Sequence, residues 1–139
     1  MSSTVSMKLR AKMVERVFLE PPADLVALYV ALTWDVAPSN AYGLMLGEPV
    51  FGGYARVAIE LGPVWWQSTG YGEVLNRHTV TFPMATLDWG LLQGWALTDD
   101  PATGAGDTYA VGNLQTPFYC RAGNVPTVAV SGIAVGISD

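Results

Sequence analysis

The spacing of apolar residues changes character once along the chain. Between residues 6 and 18, Leu9, Met13 and Val17, with Val14 and Phe18, recur at helical intervals beside Lys8, Arg10, Lys12 and Arg16. That pattern predicts a short amphipathic helix capped by Ser6. Pro21 and Pro22 stop it, because the residue before a proline is pushed out of the α region and proline donates no backbone hydrogen bond. Beyond them, short β-rich segments recur between Gly, Pro, Asn and Asp turn signals.

Residues 25–34 are apolar on both parities, as expected of a strand covered on both faces. Gly52-Gly53 supplies a turn into a strand over residues 54–61, in which Tyr54, Arg56, Ala58 and Glu60 alternate against Ala55, Val57, Ile59 and Leu61 and form the wet face. Residues 65–67 predict an edge segment, and Thr69-Gly70-Tyr71-Gly72 a turn. Further strands are predicted over 78–82, 91–98, 108–114, 118–120 and 127–135, with residues 99–107 as an exposed turn-rich loop. The series fits an all-β fold, an antiparallel β-sandwich of jelly-roll type, and not alternating βαβ units. The division is an N-terminal helix or arm over 1–22 and a β-sandwich domain over 23–139.

Composition adds a statement about surface. Of 139 residues, 50% are apolar and 14% charged, against about 25% charged in an average soluble protein. A surface so poor in solvating groups is expected to face other protein. Charge is also uneven: residues 1–20 hold four basic and two acidic side chains, whereas the remaining 119 hold three arginines and ten acids. An acidic body disfavours nucleic acid, whose binding depends on neutralising phosphates with Lys and Arg. The basic helix, through Lys8, Arg10, Lys12 and Arg16, is instead expected to meet an acidic protein surface. No apolar run approaches the roughly 20 residues that cross a bilayer, and the charged N-terminal stretch lacks the form of a signal peptide. Synthesis in the cytoplasm without export is expected.

Candidate chemistry is sparse. The single histidine, His78, has no nucleophile motif around it and reads as structural. One cysteine, Cys120, makes no intrachain disulfide and reads as a buried small hydrophobe, and with one histidine it cannot build a zinc site. Asp99, Asp100 and Asp107 sit among Pro101, Gly104 and Gly106, company in which aspartates bond to their own backbone in turns. No cofactor, metal or enzymatic activity is expected. Trp34, Trp89 and Trp95 are assigned to packing, and Trp65-Trp66 is the candidate exposed aromatic contact.

Four stretches resemble a family of small tailed-phage virion proteins often labelled tail fibre proteins. They are LYVALTWDVAP (residues 28–38), EPVFGGYARVAI (48–59), VTFPMATLDWGLLQGWALTD (80–99, preceded by Asn76) and the closing segment from Leu114 through Gly123-Asn124 to residue 137. Asn124 stands where the family usually has Asp, and Cys120 lies outside its pattern. The resemblance implies a structural virion protein without catalysis. It suggests a subunit that decorates and cements the capsid surface, bound to the major capsid protein and to other copies of itself as a homotrimer. The alternative it leaves open is a tail fibre or tail-tip component, with Trp65-Trp66 and the 99–107 loop at the tip. Within the shared motifs, Gly52-Gly53 is expected at positive φ, Arg56 to pair with a carboxylate or carbonyls, and Trp89 to pack under the connection that follows Phe82-Pro83.

Overall fold

The computed structural model describes residues 7–21, 27–34, 47–70 and 72–136, with helix side chains described from residue 13. Helix α1 spans Met7–Leu19, and the Glu20 amide closes its last turn on the Arg16 carbonyl at 2.8 Å. Ser6 and Pro22 lie outside the described residues. The apolar stripe behaves as amphipathicity requires: Phe18 is buried, and Val14, Val17 and Leu19 pack on the core. The second half of α1 is therefore docked on the β body. The Phe18 ring meets Trp66 edge-on at 4.6 Å, and the Phe18 carbonyl accepts from the Gly62 amide.

Among the described residues nine strands make three antiparallel sheets, an all-β sandwich-like fold. β1 (Ala27–Thr33), β2 (Val57–Glu60), β6 (Gly90–Thr98) and β7 (Thr108–Cys120) form a four-stranded sheet in the order β2-β1-β6-β7. β3 (Trp66–Ser68), β4 (Val74–Asn76) and β9 (Ala134–Val135) form a second, and β5 (Val80–Thr81) pairs with β8 (Thr127–Val128) in a third. β1 is buried at residues 28 and 30–33, so both of its faces are covered, which is why its sequence is apolar on both parities. A single main core gathers Leu28, Leu32, Ile59, Trp66, Phe82, Trp89 and Ile133 with Phe18 of the helix. Cys120 is buried in it as a small hydrophobe, and burial pushes its thiol pKa upward.

Three expected segments differ for identifiable reasons. The strands expected over 108–114 and 118–120 are one 13-residue strand interrupted by a bulge. There, two steps from Leu92 to Gly94 oppose five from Asn113 to Phe118. Pro117, with no amide to donate, sits among the extra residues of this edge strand. The strand expected over 127–135 splits into β8 and β9 around a turn at Ser131 (φ 64°).

Asn76 holds that turn. Its buried Nδ2 donates to the carbonyls of His78 (2.9 Å) and Ala129 (3.0 Å), its Oδ1 accepts from the Ile133 amide, and its own carbonyl accepts from the Ser131 amide. One side chain thereby satisfies the backbone groups that a broken ladder leaves bare. The strand expected over 54–61 begins only at Val57. Its supposed wet face is not wet at Arg56, which is buried.

Candidate assembly surface

Two of the motif stretches noted in the sequence, 48–59 and 80–99, meet at one place, and Gly52 is the joint. Its carbonyl accepts both the Trp89 indole N–H and the Thr86 amide, each at 2.9 Å. Gly52 and Gly53 have φ of 67° and 80°, the left-handed region glycine enters without steric cost. Space is as restrictive as conformation: a Cβ on Gly52 would lie 2.9 Å from Trp89 Nε1 and 3.0 Å from Leu87 Cβ. Trp89 is buried beneath the connection, with Tyr54 edge-on to it at 5.3 Å.

A third loop completes the joint. The Ala85 amide donates to the Asn124 carbonyl, the Gly123 amide to the Ala85 carbonyl, and the Phe82 amide to the Pro126 carbonyl. Asn124 Oδ1 accepts from the Arg121 amide at 2.8 Å. An Asp oxygen at that position would accept the same bond, so the departure from the family pattern keeps the turn. The three loops together carry Val50, Phe51, Met84, Leu87 and Val125, all exposed, with Val50 at 74%. Large apolar side chains gathered on hydrogen-bonded loops form a surface suited to covering by protein.

Behind these loops lies a buried polar clamp. Arg56 sends Nε and Nη2 to the Glu48 carboxylate as a fork, and its Nη1 donates to Thr98 Oγ1 (3.0 Å) and the carbonyls of Asp100 (2.9 Å) and Ala105 (2.7 Å). Glu48 in turn accepts from the Gly104 amide (2.9 Å) and the Tyr54 hydroxyl. The Tyr54 oxygen accepts the Leu32 amide at 3.1 Å. Burial, then the neighbouring Glu48 carboxylate, pushes the Tyr54 pKa well above the ordinary 10.0. An ion pair removed from water is tolerated when the remaining donors and acceptors are met, as they are here. The clamp therefore ties the 99–107 loop to the 47–56 loop. Within the former, Asp100 Oδ1 accepts from the Ala102 amide, the turn bond expected of an aspartate there, whereas Asp99 Oδ1 accepts from the Asp107 amide eight residues on and closes the loop, both at 2.8 Å.

Other residues singled out in the sequence lie elsewhere. Lys8, Arg10 and Lys12 have side chains outside the described residues, and Arg16 is exposed in the last turn of α1. Trp66 is wholly buried, its indole donating to the Glu60 carbonyl at 3.1 Å, which corrects its assignment as an exposed contact. Trp65 is half-buried, edge-on to the His78 ring at 4.8 Å, and a nitrogen of that ring lies 3.0 Å from the Val64 carbonyl. Trp65 lies in the turn that leads into β3, whereas Trp66 is the first residue of the strand and faces the core. Sequence reading also passed over Glu48, the partner of Arg56. A lone acid before Pro49 carries no periodic signal. Among the described residues no group of three His, Cys, Asp or Glu side chains is arranged to hold a metal.

An all-β body whose polar residues brace its loops, and whose loops present apolar side chains outward, is the class of structural protein that works through contacts with other protein. The family model described as "Podophage GP4 fiber I protein gp80" matches residues 1–136, and the chain belongs to that family. A search of the curated proteins finds no match.

Proposed function

We propose that this chain is a structural subunit of a fibre carried by a podophage, held in place by protein–protein contacts through its exposed loop surface. The convergence of the 48–59 and 80–99 motifs into one outward apolar rim carries the reading, since those two stretches are among the four that resemble the family and they meet where a partner can reach. The family's name favours a fibre over the capsid-surface location expected from the sequence. In this reading the partners are other copies of the chain and neighbouring virion proteins, with no catalytic step. Low charge suits such a role, because the centre of a protein interface is depleted in charged residues.

Localisation in intact particles is the test. Antibody-gold labelling with copy counting is expected to place the protein at a few positions on tail appendages. Hundreds of copies spread over the head would instead establish capsid decoration and end the fibre reading. Replacing Phe51 and Leu87 together by Ser should abolish incorporation while the purified protein keeps its fold.

A further inference from the structure

Where β6 begins and β7 ends, one face of the four-stranded sheet combines exposed apolar side chains with two opposite charges. Leu91 of β6 and Tyr119 of β7 stand directly opposite each other in the register, and both are exposed, as is Leu87 on the loop that leads into β6. Arg121 follows β7, with its guanidinium over the Tyr119 ring at 5.3 Å from the centroid. Asp88 lies beside that turn, its Oδ1 accepting from the Ala122 amide at 2.8 Å. Stretches 84–91 and 118–126 carry no other charged residue, and both of these are exposed.

Near as they are, the two charges do not pair within the chain. Among the described residues, no ion pair joins them to each other or either of them to another side chain. Each is nonetheless held in place. The guanidinium is laid on an aromatic face, which favours one orientation of a planar cation. The Arg121 backbone is fixed in turn by Asn124, whose Oδ1 accepts its amide at 2.8 Å. The Asp88 carboxylate is anchored through one oxygen and keeps the other for a further donor. Groups positioned in advance lose little freedom when a partner docks on them.

We propose that this face docks on the same face of a second copy, with Asp88 of each copy meeting Arg121 of the other and Leu87, Leu91 and Tyr119 packing around the exchanged pairs. Charge selects the occupant. An acidic partner would set like charge against Asp88, and a basic one would do so against Arg121. A second copy supplies both opposites at once, and a two-fold contact supplies them reciprocally. Fully solvated, such ion pairs contribute little. Here the surrounding apolar side chains exclude water on contact, and charge complementarity then sets partner and register. The contact goes beyond the rim of Val50, Phe51 and Met84 and does not depend on where the protein sits on the particle. It predicts a dimer where the family resemblance suggested a trimer.

Sedimentation equilibrium of the purified full chain is expected to give twice the 14.8 kDa chain mass. Arg121→Glu sets acid against acid across the axis and should weaken the dimer by about tenfold or more, with the near-ultraviolet tryptophan signal unchanged. Asp88→Lys should act alike. An equimolar mixture of the two variants should recover most of the wild-type affinity, since each then offers the other its opposite charges. A monomeric or trimeric wild type, dimerisation indifferent to both substitutions, or a mixture no tighter than its components overturns the proposal. Should Asp88→Lys fail to fold for want of its bond to the Ala122 amide, hydroxyl-radical footprinting of the wild type decides. Leu91 and Tyr119 must become protected as concentration rises through the association midpoint, and concentration-independent labelling refutes the contact. Gold labelling of particles reads the fibre assignment separately, so either idea can fail alone.

Discussion

The Arg56 end and the Trp66 end of the molecule solve the same problem by different physics. Both must fasten irregular chain to the body. Around Arg56, charge-assisted hydrogen bonds of fixed direction join the 47–56 loop, the end of β6 and the 99–107 loop. Around Trp66, the ring of Phe18 and neighbouring apolar side chains hold α1 by burial, joined by the backbone bond from the Gly62 amide to the Phe18 carbonyl and, among the described residues, with no buried ion pair. Directional bonds set positions to tenths of an ångström and fail together when one partner goes, because buried charge is left unmatched. Apolar packing is forgiving of shape and loses free energy in proportion to what is removed.

The largest effect that would expose this difference is expected from Arg56→Ala. It strands the Glu48 carboxylate and two carbonyls, and urea denaturation should show a loss of about 3–5 kcal/mol. Arg56→Lys should be nearly as harmful, since a point charge cannot reproduce the fork. Gly52→Ala comes next, at about 1–3 kcal/mol, because it combines an unfavourable φ with a collision against Trp89. If Gly52→Ala is neutral, the loop joint is looser than described. At the packed end, Trp66→Phe should cost only about 1–2 kcal/mol, and a loss matching Arg56→Ala would erase the distinction. Removing residues 1–20 should likewise destabilise the β body, because it uncovers Trp66.

Alkali provides a gentler probe of the clamp. The Tyr54 pKa is raised in the folded protein above its ordinary 10.0, so the favourable effect of its proton is fully present below pH 10. Above that, the unfolded chain releases the proton while the folded chain keeps it, and stability falls by about 1.4 kcal/mol per pH unit from this group. Tyr54→Phe should flatten that part of the profile in a pH series of denaturation midpoints; an unchanged slope would place the hydroxyl outside the clamp. The smallest expected change in stability, within about 0.5 kcal/mol, is from Phe51→Ser on the exposed rim. Its effect should appear in particle incorporation alone.

Periodicity was enough to place α1, β1 and β6 within a few residues, because each repeats one simple pattern over seven residues or more. The glycine pair at 52–53, the turn-capping aspartates and the need of Arg56 for a partner were legible from residue chemistry. Three-residue β4 was not, since so short a strand has no period to detect, while the strands expected over 78–82 and 127–135 were found in place but shortened to β5 and divided into β8 and β9. The wet face expected at Arg56 failed because alternation tells which residues share a side and not what covers that side.

The amino-acid sequence by itself determined the β-rich fold, the helix at its start and the family to which the chain belongs, all of which follow from local patterns of side chains. Only the tertiary structure decided that Glu48 completes the Arg56 fork, that Trp66 turns inward beneath Phe18, and that β7 comes last in the order of its sheet. Those outcomes depend on residues brought together across long stretches of chain, where burial and hydrogen-bond satisfaction act between positions that no local pattern connects.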